Sequence, residues 1–148
     1  MSAARNEWLL IGGSLSFVAA LMHLACIAGG ADWYRALGAG EPLARMVERG
    51  RILPHLYTAC IAAVLAGFGT YALSGAGVIR PLPLLRWALL AITFVYLARG
   101  LLLFAPQGAW RPDLSSGFKL WSSAIVLGYC LIHLIGLVRG WSDLKGVN

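Results

Sequence analysis

Charge is what this sequence has least of. Only 12% of its 148 residues are Asp, Glu, Lys or Arg, and 59% are apolar, against about a quarter charged and about half apolar in a soluble domain. So few ionisable side chains do not cover a water-facing surface. Disorder is excluded by the 6 Trp, 5 Tyr and 5 Phe, together with abundant Leu, Ile and Val. Repeated segments of about ten alternating residues are missing, which excludes a membrane β-barrel. Cys26, Cys60 and Cys130 form no C-x-x-C pair, and neither C-x-x-C-H nor Glu-x-x-His occurs. These gaps remove the usual haem-attachment and di-metal signatures, leaving the cofactor unassigned and no metal ligands called. No Ser-His-Asp set stands out.

Four apolar stretches are present, at Trp8–Ala28, Ile52–Leu73, Leu84–Phe104 and Phe118–Val138. Each has the length of about 20 residues that a helix needs to cross a bilayer core. Pro81 and Pro83 precede the third and Pro106 follows it, as suits helix ends. The reading is an all-α integral membrane protein: one domain over residues 1–148, folded as an antiparallel bundle of four transmembrane helices. The first span reads as retained rather than cleaved. Its leader, Met1 to Glu7, has one Arg and one Glu, and its apolar core exceeds that of a secretory signal. No acid lies in any span, which disfavours a transporter built on a carboxylate relay.

The net charge of +6 does not imply nucleic acid, because no run of Lys or Arg forms a stripe. The basic residues flank the spans, where lipid headgroups are their partners. Arg5, Arg80, Arg86, Arg139 and Lys145 fall on one side; Arg35, Arg45, Arg49, Arg51, Arg111 and Lys119 fall on the other. The two sets balance, and the close flanking of the spans by the first set points to cytoplasmic termini. Arg dominates over Lys, and Ala, Gly and Leu abound, as in proteins of GC-rich bacterial genomes, so the expected location is a bacterial inner membrane. Trp8, Trp33, Tyr34, Trp87, Trp110, Trp121 and Trp141 lie near span ends and read as an interfacial belt.

Small residues allow close helix approach in lipid. Gly12, Ser16 and Ala20 form such a stripe on the first span, and His23 continues it. Ala59, Ala63 and Gly67, beside Ala62, Ala66 and Thr70, do so on the second, and Ala124, Gly128 and Gly136 on the fourth. The first two helices are expected to pack tightly, with the bulkier third facing lipid.

Ionisable groups inside a membrane are costly and point to function. At 1.5 Å per residue, His23 and Arg99 lie about 8 Å inside the first-loop face, His55 about 5 Å, and Lys119 and Trp121 about 2–5 Å. Tyr57 and Tyr96 share that layer, whereas His133 is about 8 Å from the opposite face. The first loop covers the layer. It carries Trp33 and Tyr34, then Glu41-Pro42, an acid beside Pro that suits a helix start. Leu43, Met46 and Val47 then share one face, and Arg45, Glu48 and Arg49 the other, as in a short interfacial amphipathic helix.

The site expected is therefore a pocket for a lipid or small anionic amphiphile. Arg99, Lys119 and Arg45 would attract the headgroup, with Trp33, Tyr34 and Tyr57 around an apolar tail, and His23, Glu41, Arg49, His55, Tyr96 and Trp121 complete the expected lining. The plainer readings are a snorkelling Arg99 and a His23 that bonds between helices. A His23–His55 ligand pair, a homo-oligomer and a non-catalytic subunit of a membrane complex are further readings. Val47-Glu48-Arg49-Gly50-Arg51 and His55 also resemble the acidic-Arg cluster opening the second helix in membrane-associated eicosanoid and glutathione metabolism proteins. That resemblance spans about nine residues, and implies a trimeric transferase with Glu48, Arg49 and Arg51 on glutathione. The spacing to His differs, Pro54 intervenes and no Asn follows.

Overall fold

The computed structural model of the chain describes residues 5–105 and 114–144. These residues are helical, with no strand among them, in the order α1 (Glu7–Ala36), α2 (Glu41–Glu48), α3 (Leu53–Gly75), α4 (Leu85–Leu101, with a 3₁₀ turn at Leu102–Phe104) and α5 (Ser116–Gly140). Among the described residues four helices, α1, α3, α4 and α5, are long and apolar enough to cross a membrane. Each presents large apolar side chains outward, such as Val18, Val64, Phe94 and Val138. An outer surface of this kind suits lipid rather than water. Trp110, Arg111 and Lys145 lie outside the described residues.

Local chemistry sets the helix ends. Asn6 Oδ1 accepts the Leu9 N–H at 3.2 Å and Ser115 Oγ accepts that of Phe118 at 3.1 Å, each satisfying a donor the first turn leaves free. Pro54 occupies the first turn of α3, where its missing N–H costs nothing. Between α3 and α4, Ser74 Oγ donates to Arg80 O and accepts from Leu82 N, both at 2.9 Å. That pair of bonds folds the proline-rich connection back onto the end of α3.

The first helix departs from expectation. It does not stop at Ala28 but continues to Ala36, bent at Gly30, where φ is +69° and ψ −159°. Only glycine enters that region without strain. Asp32, Trp33, Tyr34 and Arg35 therefore stand on helix rather than in a loop.

The core forms where α1 packs extensively on α3 and α4 on α5. Leu9, Ala72, Leu89, Ile92 and Leu137 are buried together. Backbones approach closely between Gly13 and Gly69: a Cβ on Gly13 would lie 3.0 Å from Gly69 O and 3.2 Å from the Ala72 Cβ. Gly12, Ser16 and Ala20 are buried as one stripe of α1. On α3, however, the packed stripe is Thr58, Ala62, Gly69 and Ala72, while Ala63 and Gly67 face outward. On α5, Gly136 is buried against Leu9 but Ala124 is exposed. Nor does α4 stand outside the core, since Leu85, Leu89, Ile92, Thr93, Tyr96 and Gly100 are all buried.

Candidate functional site

Two groups of polar residues emerge, one beneath the first connection and one in the middle of the helices.

The first begins with the bent end of α1. Tyr34 is fully buried and packs with Cys26 and Ala44, flanked by Leu43 and Val47 of α2. Its hydroxyl is hydrogen-bonded to His55 Nδ1 at 3.0 Å, joining the α1 extension to the first turn of α3. Outside this small core, Arg35 gathers three acids. It lies 3.1 Å from Asp32, 2.7 Å from Glu41 and 2.7 Å from Glu48. Arg45 adds a second bond to Glu41, at 2.8 Å. Between Arg35 and Arg45 the Glu41 carboxyl is held well below its ordinary value, down to about 2. Within α2 Arg45 thus pairs with Glu41, while Glu48 is taken by Arg35 of α1. Arg35 was not among the site residues expected from sequence, although its spacing of three from Asp32 on a helix was a readable signal.

Beneath this cover lies a cavity of about 390 Å³. His23, Tyr57, Thr58 and Arg99 supply its polar lining, and Leu43, Cys26 and Phe118 part of its apolar wall. The Phe118 ring closes against Gly38, where any side chain would collide with it. Arg99 is half-buried, and its Nη2 reaches Ser122 Oγ at 3.4 Å. His23 Nδ1 donates to the Ala19 carbonyl of its own helix at 2.8 Å. The cavity thus brings together a cation, an imidazole, a phenol and a thiol against an apolar wall.

Other expected members stand apart from it. Glu41 and Arg45 belong to the ion network above. Arg49 is exposed at the end of α2, Trp33 is exposed over Gly29, and Trp121 is exposed at the start of α5. Lys119 lies on the first turn of α5, its carbonyl accepting from Ser122. His55 acts through Tyr34. Among the described residues no group of three or more His, Cys, Asp or Glu gathers as metal ligands would.

Tyr96 belongs to the second group. It is buried between Phe68, Tyr129 and His133, with ring centroids 5.6, 5.6 and 5.1 Å away, and its hydroxyl is 2.8 Å from Ser16 Oγ. His133 is fully buried against Gly12, with Nδ1 on the Tyr129 carbonyl at 2.8 Å. That bond lies within α5 itself. Depth counted along the chain separated Tyr96 from His133 because it took no account of helix rotation or stagger.

Protein-family models, curated proteins and solved structures give no match to this chain.

Proposed function

We propose that this protein binds a lipid or small anionic amphiphile in the cavity under the first connection. The observation carrying this reading is Arg99, a half-buried cation on the wall of an otherwise largely apolar cavity at the end of a membrane-crossing helix. A guanidinium there matches a carboxylate or phosphate with two parallel donors, while Leu43, Ile61 and Phe118 offer surface for a chain. Pockets between bundle helices are a recurrent site type. In this reading the four long helices run antiparallel across a bacterial inner membrane, with both termini in the cytoplasm. The eight residues of α2 form an amphipathic helix lying at the interface as a cover.

The transferase reading gains less from the geometry, since Glu48 is engaged by Arg35 and Arg51 is exposed. The test is lipid retention. Native mass spectrometry of purified Arg99→Leu should show bound amphiphile reduced about tenfold, the scale of one charge-assisted contact. Lipid content equal to wild type refutes the reading.

A further inference from the structure

We infer that the opposite end of the molecule holds the headgroup of a zwitterionic phospholipid whose cation is a primary ammonium, and so has a second, separate lipid site. The start of α1, the end of α3, the start of α4 and the end of α5 enclose a cavity of about 490 Å³ there. Its floor is apolar, with Leu85 and Leu144 buried. Its rim carries two cations, Arg5 and Arg139, and two anions, Glu7 and Asp143.

These four charges differ from those at the first connection. There, Arg35 and Arg45 consume Asp32, Glu41 and Glu48 in mutual ion pairs. Around this cavity none of the four forms an ion pair among the described residues. Both signs therefore face one space without neutralising each other, which offers one subsite for an anion and another for a cation. Arg139 is positioned as well as charged, with its guanidinium 5.5 Å from the Trp8 ring centre. A cation over tryptophan is favoured, and tryptophan itself favours the headgroup level.

The backbone adds the same polarity. The α1 N-terminus brings partial positive charge, and the α3 and α5 C-termini partial negative charge. Asn6 holds the rim together, donating from Nδ2 to Gly136 O at 2.8 Å while its Oδ1 caps α1. A purely anionic headgroup would meet Glu7 and Asp143 with nothing to offer them, a repulsive element that selects against it. A primary ammonium donates hydrogen bonds to carboxylates, which a quaternary one does not.

The experiment gives the full-length protein in detergent an equimolar mixture of phosphatidylethanolamine, phosphatidylglycerol and phosphatidylcholine, and reads retained lipid by native mass spectrometry. Wild type should retain phosphatidylethanolamine about fivefold over either competitor, the scale of exposed charge contacts. Arg139→Gln should lower retention of phosphatidylethanolamine and phosphatidylglycerol alike. Glu7→Gln combined with Asp143→Asn should abolish the preference while leaving phosphatidylglycerol bound. Free phosphoethanolamine at millimolar concentration should not raise the melting temperature; a rise would assign the site to a soluble ligand and overturn the lipid assignment. Equal retention of the three lipids by wild type, or a preference unchanged in the double variant, would also overturn it. Arg99→Leu should keep this preference, so the two sites fail or stand separately.

Discussion

Tyr34 and His55 are joined side chain to side chain at 3.0 Å, and this bond ties the bent end of α1 to the opening of α3 over the Arg99 cavity. Tyr34 is fully buried, so its hydroxyl has no water to fall back on.

Tyr34→Phe keeps the ring and its packing on Cys26 and Ala44 but removes that bond. The expected cost is ~1 kcal/mol, seen as a lower melting temperature in detergent. Hydrogen exchange should rise over residues 31–48 and remain unchanged in α4 and α5. Uniformly faster exchange, or none, would show that the bond does not hold the cover in place.

The contrast between Gly13 and Gly67 is sharper. A methyl on Gly13 meets the Gly69 carbonyl and the Ala72 methyl, whereas one on Gly67 meets nothing within 4 Å. Gly13→Ala should destabilise by ~1–3 kcal/mol, as overpacking does, because a backbone and not a flexible side chain must yield. Gly67→Ala should be neutral or gain up to ~1 kcal/mol from helix propensity. Unfolding midpoints in a common detergent decide the matter, and the reverse order would place the α1–α3 contact on the wrong face of α3.

These two glycines also show how far sequence reached. Length and apolarity are local properties, so the four spans were legible to within a few residues, apart from the α1 extension. Which face of a helix is buried depends on its partners. Small-residue stripes were present on several faces of α3, and Gly67 belonged to one whose Ala63 and Gly67 face outward. Tyr96 shows the same limit, since its depth suited the first-loop layer but its rotation delivers it to Ser16 and His133. His23 and Arg99, which line one cavity, stood out because scarce polarity in a span is informative by itself. Arg35 was missed because its spacing of three from Asp32 signals a pair only on a helix, and the apolar pattern does not show that α1 continues through Gly30.

Acid should loosen the cover before it unfolds the spans. Glu41 is held down to about 2 by Arg35 and Arg45, so in the folded protein it stays ionised under conditions that protonate it once the segment is released. A carboxyl depressed in the folded state contributes stability that is complete above its ordinary value of 4.5. That contribution then declines as pH falls through about 2. Order in residues 31–48, followed by Trp33 fluorescence or hydrogen exchange, should therefore decrease between about pH 4.5 and pH 2, while the long helices keep their circular dichroism. Because the carboxyl is partly exposed, salt should weaken the network too. Glu41→Gln cannot titrate, and should show a looser cover at neutral pH with a smaller further change across that window. If the variant follows the wild-type acid profile unchanged, the pH dependence belongs to other carboxylates, with Asp32 and Glu48 on Arg35 the next to substitute.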